Sequence, residues 1–237
     1  MKFVVGEPAV MIGSTLIVSD VHLGMELELQ DKGFQVKDYW RMEVKRLNAL
    51  ISRTKAKKII VLGDFKHDYY GLKNRESRLL TSFLRELSVP LTIIKGNHDS
   101  GLQDLPGVTL IEPSGLVVTH AGDSYGLFHG HALPSKEVLE SDFLLAGNIH
   151  PIIKLEEAEG FVFFDKVFLV ASALRGNKLK IKGKLVVFPA FSELVGGFPV
   201  NKRELRGPLF SRKLFNLPKA SVFLLSGLKL GSLKDLS

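Results

Sequence analysis

The chain has 237 residues, of which 45% are hydrophobic, so it can bury a substantial core. Its length favours a single α/β domain that spans residues 1–237. The absence of cysteine excludes disulfides, thiolate metal sites and a cysteine nucleophile, and leaves His, Asp, Asn and Glu as the strong metal ligands. The net charge of +7 favours a polyanionic partner, nucleic acid among them, although lysine-rich surfaces also occur in proteins without such a partner.

Strands and helices alternate through the first part of the chain. Apolar, β-branched runs that end in a polar residue predict strands at residues 15–20, 58–64 and 91–97. Apolar residues at spacings of three and four predict amphipathic helices over residues 35–53 and 72–88. This order predicts βαβ units with right-handed crossovers, and therefore a parallel sheet.

The second half of the chain has a different pattern. Strands predicted at residues 116–120, 125–129 and 143–148 follow one another closely, with glycine-containing turns and room only for a short helix near residues 135–140. We therefore expect this half to be largely antiparallel. Two sheets packed face to face, with helices outside, accommodate both halves.

Two further stretches bear on location and surface. The longest apolar run, residues 161–174, is interrupted by Asp165 and Lys166, so no membrane span is expected. The N-terminus lacks the layout of a signal peptide, and we expect a cytoplasmic protein. Alternating lysines at residues 178–184 predict one solvated face of a strand. The sequence carries no signal of an oligomeric state.

Potential metal ligands follow each of the first three predicted strands. The motifs are Asp20-Val21-His22, Gly63-Asp64 and Gly96-Asn97-His98-Asp99. Parallel strands deliver their carboxyl ends to one edge of a sheet, where such folds bind ligands. A lone Asp-x-His pair is more often a turn or a satisfied surface group. Three such motifs in this order, each directly after an apolar strand, predict a metal site.

These motifs resemble those of the calcineurin-like metallophosphoesterases, in which Asp-x-His is followed by Gly-Asp, Gly-Asn-His-Asp, a lone His before glycine, and Gly-His-x-His. The resemblance spans residues 20–151. It implies an α/β fold of two packed mixed β-sheets flanked by helices, a four-layer metallophosphoesterase sandwich. Residues 188–193 and 196–201 look like the C-terminal region of an archaeal branch that is similar to the DNA-ligase-associated phosphoesterases.

The resemblance also implies a site for two divalent metal ions. The implied protein ligands are Asp20, His22, Asp64, Asn97, His129 and His150. Asp64 would bridge the two ions, with Asn97 and His129 completing the second site. Manganese is the ion expected in the cell, with zinc, iron and nickel as alternatives, because nitrogen and oxygen donors suit several of these ions.

Two residues beside the ligands are implied in catalysis. His98 matches the family position that stabilises the transition state or protonates the leaving oxygen. Asp99 would orient His98 by accepting a hydrogen bond from its ring. The implied reaction is hydrolysis of a phosphomonoester or phosphodiester by in-line attack of a metal-activated hydroxide.

The chain departs from the family pattern at two places. Asn148 replaces the first histidine of Gly-His-x-His. An amide oxygen is a weaker ligand than imidazole, so the second metal site would be weak, altered in metal preference, or empty without substrate. Lys66 and His67 stand where Asp or Arg is usual. We expect Lys66 in an exposed turn, whereas His67 is either a contact to metal or substrate or a second turn residue.

Two histidines compete for the position of the lone family histidine. His129 precedes a glycine, as in the family motif, and is favoured. His120 also ends an apolar run and stays as an alternative. His131 is expected beside the site rather than as a ligand.

Three functions are consistent with these observations. The first is hydrolysis of a phosphoester substrate. The second, suggested by the basic charge and the ligase-associated resemblance, is a DNA-processing nuclease or end phosphatase. The third is a nucleic-acid-binding or scaffolding protein in which Asn148 marks a weakened second metal site. The other intact motif residues argue against this third function.

Overall fold

The computed structural model describes residues 1–70, 74–103, 105–156 and 159–236. The strands are β1 (Lys2–Phe3), β2 (Val10–Ile12), β3 (Thr15–Val18), β4 (Lys58–Val61), β5 (Leu91–Ile94), β6 (Val108–Ile111), β7 (Leu116–His120), β8 (Asp123–Phe128), β9 (Phe143–Ala146), β10 (Pro151–Glu156), β11 (Val162–Ser172), β12 (Lys184–Val187), β13 (Phe198–Pro199), β14 (Ser221–Leu224) and β15 (Lys229–Ser232). The α-helices are α1 (Met25–Asp31), α2 (Tyr39–Thr54), α3 (Asn74–Glu86) and α4 (Lys136–Leu139), with short 3₁₀ turns at Leu217–Lys219 and Leu233–Leu236.

The first sheet has the strand order β1-β2-β3-β4-β5-β6. Strands β3 to β6 are parallel, while β1 and β2 add an antiparallel edge. Helix α2 connects β3 to β4, and α3 connects β4 to β5, so the predicted βαβ units are confirmed. The predicted start of the second helix, residue 72, lies outside the described residues. The pattern did not predict α1, which is only two turns long.

The second sheet has the order β13-β10-β11-β12-β9-β8-β7, and β14 and β15 extend it from β11. Three pairs are parallel, namely β8 with β9, β9 with β12, and β10 with β13. The prediction of a largely antiparallel half is therefore only partly right. The parallel pair of β8 and β9 arises because the chain crosses back through α4 between these two strands, so that β9 runs in the same direction as β8.

The strand predicted at residues 178–184 is wrong. β12 begins only at Lys184. Before it, the Asn177 side chain donates to the carbonyls of Leu174 and Ile181 and accepts from the Ile181 N–H. Asparagine favours such local bonds to the backbone, and here they hold the preceding segment in turns.

The two sheets pack face to face. Their shared core contains Ile17 and Ile60 from the first sheet and Leu127, Leu145 and Phe168 from the second. Helices α2 and α3 cover the outer face of the first sheet, whereas α4 and the C-terminal segment cover the second. The predicted α/β fold of two packed mixed sheets is thus confirmed. The helical layer on the second sheet is much smaller than that on the first, because α4 has only four residues. Among the described helices, none is long and apolar enough to cross a membrane.

Candidate metal centre

Loops that follow five strands bring the predicted site residues together. Strands β3, β4 and β5 are parallel in one sheet, and β8 and β9 are parallel in the other, so each group delivers its carboxyl ends to one edge. The loops carry Asp20 and His22 after β3, Asp64 and His67 after β4, Asn97, His98 and Asp99 after β5, His129 after β8, and Asn148 and His150 after β9. The two edges meet, because His129 Nε2 lies 3.1 Å from Asp20 Oδ1.

The backbone at this site is strained. Ten non-glycine residues have positive φ in the described chain, and five of them belong to these loops. They are Asp20 (54°), His22 (48°), Asp64 (50°), Asn148 (69°) and His150 (48°). L-residues rarely adopt this conformation, which persists only where the surroundings impose it and which clusters at functional sites.

Two motif glycines allow the loops to approach one another. A β-carbon at Gly147 would lie 1.8 Å from Ser19 Oγ and 2.5 Å from Asp20 Oδ2. A β-carbon at Gly96 would lie 2.1 Å from Asp64 Oδ1. No side chain fits at either position, so glycine is required for the close packing of backbone against the two carboxylates.

Asp20 is fully buried and is surrounded by donors. Ser19 Oγ donates to Asp20 Oδ2 at 2.5 Å, and the Asn148 N–H lies 3.1 and 3.2 Å from the two carboxylate oxygens. The Nε2 atoms of His129 and His150 each lie 3.1 Å from Oδ1. These contacts fix the carboxylate at the centre of the site.

Asp64 lies between histidines of both sheets. Its Oδ2 is 3.7 Å from His22 Nε2, 3.5 Å from His129 Nε2 and 4.0 Å from His98 Nε2. Its Oδ1 accepts the His98 N–H at 2.9 Å. Asp64 Oδ2 therefore lies near histidine nitrogens of both sheets, while Oδ1 is hydrogen-bonded to the backbone.

The donor atoms form three groups whose members lie within 4.8 Å of one another. These groups are Asp20 with His22 and His150, Asp20 with Asp64 and His129, and His22 with His67 and His98. Three atoms of ligand type at this site, His22 Nε2, Asn97 Oδ1 and His150 Nε2, are buried and have no hydrogen-bond partner. Buried polar atoms are almost always paired, so these three indicate a site for a cation.

The tautomer of His150 leads to the same conclusion. Its Nδ1 lies 3.2 Å from the Gly196 carbonyl oxygen, which can only accept, so Nδ1 carries the hydrogen. In the neutral ring, Nε2 then presents a lone pair to Asp20 Oδ1 at 3.1 Å. Two acceptors so close require a proton or a metal ion beside them. Donors bound at about 2.1 Å to one ion are roughly 3.0–3.4 Å apart, which agrees with this separation.

Burial and charge set the protonation of the site. Burial is the largest cause that lowers the pKa of His22, to about 3, despite the attraction of Asp20. Burial also raises the pKa of Asp64, to about 6. For Asp20 burial acts in the same direction, but His150 and His129 outweigh it and hold its pKa well below the usual range. Neutral imidazole and ionised carboxylate are the forms that bind metals.

His67 lies at the site, beside His22, rather than in an exposed turn. Its Nδ1 lies 3.3 Å from His22 Nδ1, and its Nε2 lies 2.6 Å from Glu28 Oε2. Sequence reasoning did not identify Glu28, which lies on the unpredicted helix α1. Its spacing from the motifs gives no signal of this contact.

The predicted bond between Asp99 and the ring of His98 is wrong. His98 Nδ1 lies 2.5 Å from the carbonyl oxygen of His67. Asp99 instead accepts the backbone N–H groups of Phe65, Lys66 and Gly96, at 2.9, 3.1 and 2.8 Å. Asp99 therefore joins the loop after β4 to the loop after β5, because its buried carboxylate faces main-chain donors rather than the imidazole.

The expectation for Lys66 and the alternative ligand His120 are not met. Lys66 is fully buried, not exposed, and its ammonium donates to the Asp68 carbonyl. His120 lies at the exposed turn of the β7–β8 hairpin, opposite Asp123, and belongs to none of the three donor groups. The six residues of β8 separate that turn from His129 by about 20 Å, at roughly 3.3 Å per residue.

His131 lies beside the site, as predicted, with its Nδ1 2.8 Å from His129 Nδ1. Burial, followed by the charge of His129, lowers the pKa of His131 to about 4. A neutral His131 can accept the Nδ1–H of His129, which leaves His129 Nε2 directed at the carboxylates. Asn148 contacts Asp20 through its backbone rather than its side chain.

The sequence of the chain matches the calcineurin-like phosphoesterase family over residues 13–169. The chain therefore belongs to this family, whose members act on phosphoesters and usually bind divalent metals. A search of the curated proteins finds no significant match.

Solved structures with this fold include the nuclease MPE of Pseudomonas putida, which is 19% identical and aligns with a TM-score of 0.53 over 90% of this chain and 85% of its own. The E. coli phosphoesterase Yfce is 16% identical, with a TM-score of 0.44 over 92% of this chain and 96% of its own. At 19% identity the likeness to the nuclease concerns the fold alone.

Proposed function

We propose that this chain is a phosphoric ester hydrolase whose centre holds two divalent metal ions. The proposed ligands are Asp20, His22, Asp64, Asn97, His129 and His150. The observation that carries the proposal is the position of Asp64 Oδ2, within 4.0 Å of histidine nitrogens from both sheets, beside the unpartnered atoms His22 Nε2 and Asn97 Oδ1. A carboxylate so placed suits the bridging role.

When bound, the ions supply Lewis-acid charge that polarises a phosphoryl oxygen and lowers the pKa of a water molecule. All proposed donors are nitrogen or oxygen, which suits manganese as the cellular ion, with zinc, iron or nickel as alternatives. Asn148 contributes no imidazole, so we expect the ion held by Asn97 and His129 to bind more weakly than the other ion.

His98 is the proposed catalytic residue. Its Nδ1–H donates to the His67 carbonyl, so its Nε2 is the atom that exchanges a proton. That atom lies 4.0 Å from Asp64 Oδ2, and the side chain is 26% exposed, so a substrate can reach it. A protonated His98 would give its proton to the leaving oxygen of the ester. Asp99 acts by holding the loop that carries His98.

A nucleic acid is the narrower substrate class that we infer. The net charge of +7 supports attraction to a polyanion, and one protein of the same fold is described as a nuclease. Both a nuclease and a DNA-end phosphatase agree with this inference, since both act on phosphoesters of a polyanion.

The test is hydrolysis of an aryl phosphodiester and an aryl phosphomonoester by metal-stripped protein, with Mn²⁺, Ni²⁺, Zn²⁺ or Mg²⁺ added back. We expect turnover only with metal, and a loss of at least about a thousandfold in Asp64→Asn. Asp165→Asn, at an exposed carboxylate of β11, is the matched control and should keep full activity. Equal activity in both variants, or activity without metal, would refute the proposal.

A further inference from the structure

Two adjoining cavities lie in the C-terminal part of the chain, against the outer face of the second sheet. Their volumes are about 770 and 590 Å³. Both are lined by Leu174 and Lys213, so they form one continuous depression, the C-terminal groove. Concave surfaces of this size are typical of ligand sites, and none of the proposed metal ligands lines this one.

The groove concentrates the positive charge of the protein. Its first cavity is lined by Lys202, Arg203, Lys213 and Lys234, with Glu204 as its acidic residue. Its second cavity adds Arg175, Lys178 and Arg212 and no acidic residue. Seven basic residues against one acidic residue give the groove a net charge of +6, whereas the whole chain carries +7.

These seven side chains are exposed, and carboxylates outside the groove lining act on two of them, Glu156 on Lys202 and Asp235 on Lys234. Within the described part of the chain, none of them forms an ion pair with a carboxylate, whereas Arg46 and Lys166 elsewhere pair with Glu7 and Glu193. Like charges without an ion-pair partner repel one another and raise the local concentration of anions. The excess of positive charge therefore suits a ligand that carries several negative charges.

The floor of the groove is apolar. A short segment of the chain also links the groove to the metal centre. Leu174, Phe210 and Phe215 line it between the charges, a surface suited to sugar rings. The Phe198 N–H donates to the His150 carbonyl at 2.9 Å, and the chain continues through Pro199 and Val200 to Lys202. The same short segment thus contacts a proposed metal ligand and forms the groove wall.

We propose that the C-terminal groove binds the sugar–phosphate backbone of a nucleic acid, one of whose phosphoesters is presented to the metal centre. This inference rests on the proposed function, because the hydrolytic centre makes a phosphodiester polymer the matching polyanion. Lysine and arginine contacts to phosphate release counterions, so binding should be sequence-independent and strongly dependent on salt.

The test uses the full chain with the triple substitution Lys202→Glu, Arg212→Glu and Lys213→Glu. The matched control, Lys45→Glu, Lys57→Glu and Lys58→Glu, makes the same change of charge at exposed positions on α2 and at the amino end of β4. Anisotropy of a labelled DNA oligonucleotide is measured in EDTA over a range of salt concentrations. We expect the groove variant to bind at least tenfold more weakly, with a salt slope smaller by about three, while the control changes little.

Two further measurements separate this inference from the proposed function. Metal-loaded groove variant should hydrolyse the small aryl phosphodiester at the wild-type rate, since the substituted residues lie outside the metal centre. If the protein binds DNA through the groove but hydrolyses nothing, the proposed function fails and the binding site stands. Equal DNA binding by groove and control variants overturns the inference, as does tighter binding of a polyglutamate peptide than of DNA.

Discussion

The imidazole of His67 is hydrogen-bonded to the carboxylate of Glu28, with 2.6 Å between Nε2 and Oε2. Because the carboxylate accepts, Nε2 carries the hydrogen, and Nδ1 of a neutral His67 is left to accept from His22 Nδ1, 3.3 Å away. His22 Nε2 is then the unprotonated nitrogen, and it is one of the buried atoms without a partner. Glu28 thus sets the tautomer of a proposed metal ligand that it does not touch.

This relay predicts that substitutions away from the ligands weaken metal binding. His67→Ala should lower the affinity for Mn²⁺, measured by calorimetry, by about 10–100-fold, and Glu28→Ala by about tenfold, as for other residues that orient metal ligands. Glu28→Gln should retain most of the affinity, because its amide oxygen still accepts. Asp31→Ala is the control, since Asp31 lies on the same helix and pairs with Arg75. Equal losses in Glu28→Ala and Asp31→Ala would exclude the relay.

Asn148 gives a second prediction, in the opposite direction. Its contact with Asp20 is made by the backbone N–H, so a change of side chain leaves that bond in place. Asn148→His supplies the imidazole that the family pattern has here, and the weaker metal ion should bind roughly tenfold more tightly, about 1.4 kcal/mol. A calorimetric titration resolves the two binding steps. Asn148→Ala should not tighten either step, and a histidine variant no better than alanine would contradict a weakened second site.

The sequence predicted which residues lie close together better than it predicted their contacts. Parallel strands bring their carboxyl ends to one edge, so the motifs after β3, β4 and β5 had to lie together wherever the loops went. Nothing in the spacing of Asp99 distinguished an imidazole from backbone N–H groups as its partner. The burial of Lys66 was equally unpredictable, because its ammonium donates to the carbonyl of Asp68, which only the folded loop brings into place.

Gly147 gives a third prediction, which concerns stability. The β-carbon of Gly147→Ala would overlap Ser19 Oγ and Asp20 Oδ2, both of which are buried in the loop after β3. We expect a loss of about 2–3 kcal/mol in the free energy of unfolding, as for other overpacked sites. Gly196→Ala is the control, because no atom lies within 4 Å of its β-carbon position. Urea denaturation of the two variants should differ clearly, and equal midpoints would show that the loop relaxes without cost.

Outside the metal centre, Glu43 of α2 is a buried acid among other charged groups. It is 2% exposed, and both carboxylate oxygens lack a hydrogen bond of good geometry. Burial is the main cause that raises the pKa of Glu43 from 4.5 to about 7, against the opposing effects of Tyr39, Arg46 and Lys166, while Glu193 adds to the rise. The folded protein therefore keeps a proton on Glu43 in a pH range where the unfolded chain has lost it.

The sign of the pH dependence follows from this difference. The folded state binds more protons between pH 4.5 and about 7, so the contribution of Glu43 to stability is present at low pH and is lost as the pH rises through this range. Glu43→Gln removes the ionisation. At pH 8 the variant should be more stable than the wild type by about 3 kcal/mol, at about 1.4 kcal/mol for each unit of the shift, and by almost nothing near pH 4.

Urea denaturation followed by the fluorescence of Trp40, the single tryptophan, provides the measurement. Trp40 lies on α2 and packs against the same core as this helix, so its emission reports the unfolding of the region that contains Glu43. Glu137→Gln, at an exposed position of α4, is the matched control and should show no pH-dependent difference from the wild type. A difference between Glu43→Gln and wild type that is the same at pH 4 and pH 8 would mean that the pKa of Glu43 is the same in the folded and the unfolded protein, with Arg46 and Lys166 offsetting its burial.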